Sequence, residues 1–356
     1  MRATIAPVLA VAALILTWGR DLPPPLIVLV ALLLAAAVLS AVHHAEVVAH
    51  KVGEPFGSLV LAVAVTIIEV ALIVTLMISG GAKTQSLARD TVFAAVMITC
   101  NGLLGLSLLV GAARRRIAVF NPEGSGGAFA TVITIATLSL VLPNFTTSRP
   151  GPQFSPAQLA FAAVTSLALY ALFVTVQTRR HRDYFLPITT AGEVIDSEEH
   201  VDPPTERAAL TSLGLLLLAL VGVVGLAKGV SPAIEKAVGD LGMPQAVVGV
   251  VIALLVLLPE TIAAVRAAAR DRVQTSLNLA IGSAMASIGL TIPAIAIAMI
   301  WLPGPLLLGL GGTQMVLLAL TVAVGTLTIV PGRANVLQGG IHVSLLAVFL
   351  FLAASP

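Results

Sequence analysis

Long apolar stretches, separated by short polar turns, occupy almost the whole chain. A helix that crosses a bilayer needs about 20 mostly apolar residues, and the pattern predicts eleven such helices. They cover Ala3–Trp18, Pro25–Val42, Phe56–Ser79, Asp90–Ala113, Gly126–Leu142, Ser155–Thr178, Ala208–Val230, Pro244–Val265, Thr275–Ile300, Pro305–Val330 and Val336–Ala354. The sequence therefore predicts an all-α, polytopic membrane protein.

The first stretch is the shortest, and Arg2 ahead of an apolar run is also found in secretory signal peptides. It has no clear small-x-small cleavage site, and Arg20 and Asp21 followed by three prolines are typical of a hairpin loop. We therefore interpret residues 1–18 as an N-terminal transmembrane helix.

The composition agrees with this pattern. Of 356 residues, 58% are hydrophobic and 10% are charged, whereas soluble domains carry about 25% charged residues. A soluble enzyme and a disordered chain are therefore excluded, and Cys100, the one cysteine, excludes a disulfide scaffold. A net charge of +2 gives no basic surface for nucleic acid.

Lysine and arginine positions predict the orientation, since these residues are enriched in cytoplasmic loops. With the N-terminus in the cytoplasm, thirteen of them lie on the cytoplasmic side and six outside. We therefore expect a multi-pass protein of the plasma (inner) membrane whose N-terminus is cytoplasmic.

One long polar segment, residues 179–207, separates two hydrophobic parts, residues 25–178 and 208–356. It carries six carboxylates after residue 190: Glu193, Asp196, Glu198, Glu199, Asp202 and Glu206. We interpret it as a cytoplasmic acidic linker, which is either a solvated connector or a regulatory segment that senses cations.

Two of the seventeen acidic residues lie well inside predicted helices, Glu69 in the third and Glu260 in the eighth. An ionised carboxylate near the bilayer centre costs about 2.5–3.5 kcal/mol on insertion scales. Each helix follows a Gly/Pro turn and precedes a helix rich in small and polar residues. Because the third and eighth helices cross in opposite directions, this weak repeat is inverted, as in secondary transporters with a midplane binding site.

Polar side chains accompany both carboxylates in the predicted helices. They are Thr66 in the third helix, Thr99, Asn101 and Ser107 in the fourth, and Asn278, Ser283 and Ser287 in the ninth. Such groups either join helices by hydrogen bonds or, with Glu69 and Glu260 as metal ligands, form an all-oxygen site for a hard cation. Pro259 and Gly282 are predicted to break their helices and expose backbone oxygen.

A histidine-containing segment leads into the Glu69 helix from the predicted cytoplasmic side. On a helix, His43, Glu46 and His50 share one face. This segment is either an interfacial amphipathic helix or a pH sensor and proton entry point, because histidine titrates near neutral pH. His342, alone in the last helix, is interpreted as a packing histidine.

Three runs carry a family resemblance: HHAEVVAHKVGEPFGSLVLAVAVTIIEVALI, LLPETIAAVRAAARDRVQTSLNLAIGSAMASIGLTIP and PGRANVLQGGIHVSLLAVFLF. They resemble the ChaA-like calcium (sodium, potassium)/proton antiporters of the cation/calcium exchanger superfamily. The resemblance implies one N-terminal helix followed by two inverted five-helix repeats. It also implies proton-coupled efflux of Ca²⁺, Na⁺ or K⁺, without a cofactor.

The resemblance also implies roles for individual residues. Glu69 and Glu260 correspond to the two ion-binding glutamates of the superfamily, and Asn101 and the Gly282–Ser283 pair fall on conserved motif positions. The usual Gly-Asn ahead of each glutamate is replaced by Val65-Thr66 and Val256-Leu257. Fewer amide ligands leave room for Na⁺ or K⁺ beside Ca²⁺.

The hypothesis is thus a secondary antiporter in which two glutamates bind cation or protons alternately. Its partners are inorganic cations, protons and the lipid bilayer, and the sequence leaves the oligomeric state open. A Na⁺-coupled exchanger and a cation channel are the alternatives. An intramembrane enzyme is disfavoured because the helices hold no HExxH or GxSxG motif.

Overall fold

The computed structural model describes residues 2–20, 22–53, 56–188, 204–302 and 304–355. In this part of the chain eleven helices follow one another: α1 (Arg2–Thr17), α2 (Pro24–Val52), α3 (Phe56–Gly80), α4 (Leu87–Arg115), α5 (Pro122–Phe145), α6 (Pro156–Arg180), α7 (Glu206–Asp240), α8 (Ala246–Ala269), α9 (Val273–Ala298), α10 (Gly312–Ile329) and α11 (Val336–Ala354). Ten of these described helices, α2 to α11, are long and apolar enough to cross a membrane. This confirms the predicted polytopic all-α fold. The carboxylates predicted between residues 193 and 202 of the linker lie outside the described residues.

Three helices differ from their predicted bounds by seven residues or more at one end, and the others by fewer. The α2 helix continues to Val52, so the histidine segment is part of a spanning helix and not a separate interfacial one. The α7 helix continues to Asp240. The α10 helix begins at Gly312 and not at Pro305, because the glycine-rich stretch before it is non-helical and Gln314 caps the helix start with its side chain.

The loops meet on two opposite faces of the helix bundle. On one face, the α4–α5 and α10–α11 loops form a short antiparallel ladder between β1 (Ala118–Val119) and β2 (Arg333–Ala334). On the other face, the backbone N–H of Leu307 in the α9–α10 loop donates to the carbonyl of Gln85 in the α3–α4 loop. Consecutive helices therefore run in alternate directions, and α3 and α8 are antiparallel, as an inverted repeat requires.

The first of these faces carries most of the arginines, and we call it the arginine-rich face. It includes Arg114, Arg115, Arg116, Arg270 and Arg333. Two contacts join its loops: Arg115 forms an ion pair with Asp271 at 2.6 Å, and Arg114 donates to the carbonyl of Ala269 at 2.6 Å. The α4–α5 and α8–α9 turns are thereby held together.

The buried apolar side chains form two clusters. The larger joins α4, α5, α6, α9, α10 and α11, with Phe93 and Phe120 among its fully buried members. The smaller joins α1, α2 and α7. The α3 and α8 helices contribute to both clusters. The two helices that carry the buried glutamates thus lie at the boundary between two packed bodies.

Candidate cation site

A cavity of about 250 Å³ lies between α3, α6, α8 and α9. It is lined by Leu61, Ala62, Val65, Thr66, Glu69, Tyr170, Phe173, Val174, Gln177, Leu257, Glu260, Thr275, Asn278, Leu279, Gly282, Ser283, Ala286 and Ser287. Leu61 and Thr275 come early in helices that start at the arginine-rich face, whereas Glu69 and Ser287 lie near the middle of theirs. The cavity therefore leads from the arginine-rich face to the centre of the bundle.

Glu69 lies at the inner end of this cavity, and both of its carboxylate oxygens accept hydrogen bonds. Its side chain is buried, and the Ser287 hydroxyl lies 2.9 Å from each carboxylate oxygen. Thr291, one turn further along α9, is a second hydroxyl donor at 3.3 Å from Oε2. Because these residues are four apart, they share one face of α9, and both hydroxyls point at Glu69.

Glu260 lies in the same cavity but in different surroundings. Within the described part of the chain, its buried Oε2 atom has no hydrogen-bond partner. The carboxylates near enough to interact with it electrostatically are Glu46 and Glu69. A buried oxygen without a donor is costly unless an ion, a proton or water completes it. Glu260 thus presents an open ligand to whatever enters the cavity.

The cavity brings together most of the polar residues that the sequence singled out. Thr66 and Ser283 line it with Glu69 and Glu260. Asn278 also lines it, but its amide donates to the Phe185 carbonyl at 2.6 Å. Its amide oxygen accepts from Gln274 at 2.8 Å. The roles of these residues as ligands remain predictions.

Asn101 is not among the residues that line this cavity. It lies in a π turn, Ile98–Leu103, at the middle of α4. Its amide nitrogen donates to Thr321 Oγ1 at 2.8 Å, and its amide oxygen lies 3.0 Å from His342 Nδ1. The sequence grouped Asn101 with the glutamates because of its motif position, which gives no information on where its side chain points.

The predicted histidine face lies outside the cavity lining as well. His43 and Glu46 are exposed enough to be solvated, and His43 Nδ1 lies 4.0 Å from Glu46 Oε2. The buried histidine of this segment is instead His44, whose Nδ1 lies 3.3 Å from Ser212 Oγ on α7. His50 is exposed near the end of α2.

The predicted helix breaks at Pro259 and Gly282 are corrected by the structure. Both α8 and α9 continue through these positions. Near the proline, the Thr261 hydroxyl donates to the Leu257 carbonyl at 2.7 Å. A side chain added at Gly282 would meet no atom within 4 Å, so this glycine widens the cavity and does not bend its helix.

Four polar residues at or beside the cavity were not predicted: Thr291, which binds Glu69, and Tyr170, Gln177 and Thr275. The spacing of Thr291 from Ser287 was the available signal, since residues four apart share a helix face. Tyr170 and Gln177 come from α6, which carries no acidic residue, so no charge in the sequence pointed to that helix.

The cavity offers a set of oxygen ligands. Two carboxylates and several hydroxyls converge on one cavity, and hard cations prefer such oxygen ligands. The described residues contain no group of three or more His, Cys, Asp or Glu placed to hold a metal ion.

Comparison with known proteins shows the family to which the chain belongs. The family model described as sodium/calcium exchanger protein matches residues 22–179 and 211–354. The candidate ionic transporter y4hA of Sinorhizobium fredii is 49% identical over 323 residues, 90% of this chain and 86% of that protein. The sodium-potassium/proton antiporter ChaA of Escherichia coli is 33% identical over 350 residues, 97% of this chain and 94% of ChaA.

The fold is also that of a solved exchanger. The crystal structure of the H⁺/Ca²⁺ exchanger CAX matches with a TM-score of 0.69 at 16% identity, over 99% of this chain and 91% of that chain. Fold and sequence together define a multi-pass membrane transporter of inorganic cations, which is not an enzyme and needs no cofactor. The chain belongs to the sodium/calcium exchanger protein family, within the cation/calcium exchanger superfamily.

Proposed function

We propose that the protein is a secondary antiporter that exchanges cytoplasmic Ca²⁺, and also Na⁺ or K⁺, for external protons. The names of two similar proteins support this: ChaA is a sodium-potassium/proton antiporter, and CAX is an H⁺/Ca²⁺ exchanger. The observation that carries the proposal is that Glu69 and Glu260 share one cavity between antiparallel helices, and that Glu260 Oε2 has no hydrogen-bond partner among the described residues.

In this mechanism, protons and a cation compete for the same two carboxylates. Burial disfavours a bare charged carboxylate, so the pair is stable either protonated or bound to a cation. A cation enters between deprotonated Glu69 and Glu260, with Thr66, Ser283 and Ser287 supplying hydroxyl oxygens. Protons from the opposite side displace it, and the neutral pair returns. Two carboxylates balance one Ca²⁺ or two protons, so Ca²⁺ exchange is electroneutral.

The orientation follows from the charge of the two faces. The cavity leads to the arginine-rich face, and positively charged loops favour the cytoplasmic side. In this proposal the cavity opens to the cytoplasm, the N-terminus is cytoplasmic, and the protein lies in the plasma membrane. The same orientation places the acidic linker, residues 179–207, beside the cytoplasm.

We further propose that residues 1–18 precede two exchanger repeats, residues 25–178 and 208–356. The family model matches two segments with nearly these bounds, residues 22–179 and 211–354. One buried glutamate falls in each segment. This division supports a shared site at the interface of the two repeats and not two separate sites.

The test is proton flux in everted membrane vesicles that contain a pH-sensitive dye. Adding Ca²⁺, Na⁺ or K⁺ to the cytoplasmic face is expected to release protons from the vesicle lumen and to rank the three ions. Glu69→Gln and Glu260→Gln are each expected to reduce the signal to the level of empty vesicles, because each removes one of the two shared charges. Glu206→Gln, an exposed residue at the start of α7, is the matched control and should exchange normally.

Two outcomes would contradict the proposal. Exchange retained in either glutamate variant would remove the shared site. A folded protein that releases no protons with any cation would favour the Na⁺-coupled exchanger, which ²²Na⁺ uptake driven by a Ca²⁺ gradient would then detect. Flux that does not saturate with cation concentration would favour a channel.

A further inference from the structure

The two repeats place a polar side chain at the same register in α4 and α9. Asn101 lies 14 residues after the first residue of α4, and Ser287 lies 14 residues after the first residue of α9. Ser287 donates to Glu69, the carboxylate of the other repeat. Asn101 makes no such contact with Glu260, although α8 packs against the π turn that holds Asn101. The Asn101 side chain instead bonds to residues of α10 and α11.

A directional chain of hydrogen bonds holds Asn101. The Thr321 hydroxyl donates to the Leu317 carbonyl at 2.8 Å, so its oxygen accepts the amide N–H of Asn101. The amide oxygen of Asn101 then faces His342 Nδ1 at 3.0 Å. An amide oxygen only accepts hydrogen bonds, so Nδ1 carries the proton. In the neutral ring Nε2 is then an acceptor, and Thr328 Oγ1 lies 3.2 Å away to donate to it.

Close helix contact makes this chain possible. A β-carbon at Gly105 of α4 would lie 2.7 Å from the His342 Cβ, and one at Gly339 of α11 would lie 2.6 Å from the Leu109 backbone nitrogen. Only glycine at both places lets α4 and α11 approach so closely. The fully buried His342 ring therefore reaches the middle of α4, where the π turn displaces Asn101 from the regular helical register.

We propose that His342 is a positioning residue that holds Asn101 away from Glu260 in the conformation open to the arginine-rich face. Release of Asn101 then supplies Glu260 with a ligand in the opposite conformation, as Ser287 supplies Glu69 in this one. The proposal rests on the proposed antiport function. In it, His342 stays neutral and acts through Asn101, and it carries no transported proton.

Two conservative substitutions test separately the hydrogen bonds of the two His342 ring nitrogens. In His342→Asn the amide nitrogen takes the place of Nδ1 and keeps the bond to Asn101, whereas in His342→Gln the amide nitrogen takes the place of Nε2 and loses it. The readout is access to the cavity. Purified protein with Cys100→Ala and Ala62→Cys is labelled by a maleimide in detergent, since Ala62 lines the cavity on the arginine-rich side of Glu69.

The expected result is that His342→Gln lowers the labelling rate several-fold, because the cavity-open conformation loses its hold on Asn101. His342→Asn and Thr328→Val, which lose only the Nε2 contact, should label like the parent protein. In an Asn101→Ala background, His342→Gln should have no further effect. Equal labelling of both histidine variants, whether at the parent rate or reduced, would overturn the proposal.

This outcome is separable from the fate of the proposed function. Labelling requires no transport, so it reports the conformational role even if the transported ion is not the expected one. Conversely, if Glu260→Gln abolishes exchange while Asn101→Ala exchanges and labels like the parent protein, the antiport function stands and the role of His342 fails.

Discussion

The two buried glutamates have matching positions in the repeats but opposite surroundings. Glu69 accepts hydrogen bonds from Ser287 and Thr291 of the second repeat. Glu260 has a buried oxygen without a partner in the described part of the chain. The two repeats thus carry the same residue at equivalent positions, but in this conformation the two carboxylates have different hydrogen-bond partners.

This difference shows how one pair of carboxylates serves two purposes. A carboxylate that already has hydroxyl donors pays less to stay charged in the bundle than one that has none. In the proposed exchanger, Glu69 therefore stays charged in the empty site. Glu260 has an oxygen without a donor, and an incoming cation binds to that oxygen. The pseudo-symmetry of the two repeats predicts that the two glutamates exchange these roles in the opposite conformation.

The largest expected effect comes from removing the donor that distinguishes Glu69. Ser287→Ala should raise the half-saturating cation concentration about tenfold or more, since a hydrogen bond to a charged group contributes about 1.5–3 kcal/mol and 1.4 kcal/mol is a tenfold change. Ser283→Ala is the comparison in the same helix and should have a smaller effect, because Ser283 lines the cavity but does not bond to Glu69. The measurement is cation-dependent proton release across a range of concentrations.

A smaller effect of Ser287→Ala than of Ser283→Ala would contradict the assigned difference. It would mean that the Ser287 hydroxyl only provides a hydrogen bond to Glu69 and that Ser283 provides the cation ligand.

The sequence predicted the fold and the two carboxylates because both depend on strong local signals. Apolar stretches of membrane length define the helices, and a charge inside one of them is conspicuous. It did not predict the direction of Asn101 or the burial of His44, since these depend on which neighbouring helix faces each side chain. A π turn and two glycine contacts decide the first. The packing of α2 on α7 decides the second.

The next prediction compares a glycine on the cavity side of α9, Gly282, with one on its packed side, Gly289. A side chain at Gly289 meets Tyr170 Cβ at 3.0 Å, whereas one at Gly282 meets nothing within 4 Å. Gly289→Val should therefore destabilise the protein by about 1–3 kcal/mol through overpacking. Gly282→Val should fold with normal stability but narrow the path to Glu260 and slow exchange.

Thermal unfolding of both variants in detergent, followed by size-exclusion chromatography, measures the first effect, and proton release measures the second. Equal stability of the two variants would show that α6 and α9 are not in firm contact. Normal exchange by Gly282→Val would show that cations reach Glu260 by another path.

The smallest expected effect concerns the exposed histidines His43 and His50, near the end of α2. His43 Nδ1 lies 4.0 Å from Glu46 Oε2, and Glu46 is one of the carboxylates that interact electrostatically with Glu260. If this segment senses pH, His43→Gln with His50→Gln should move the pH profile of exchange by less than about one unit, because salt screens interactions between exposed charges. His44→Gln, which alters the buried contact with Ser212, is expected to lower stability and not to move the profile. A pH profile that moves with His44→Gln and not with the His43 and His50 variants would contradict this expectation. The response to pH would then depend on the contact between α2 and α7, and it would reach Glu260 through the packing of the smaller apolar cluster.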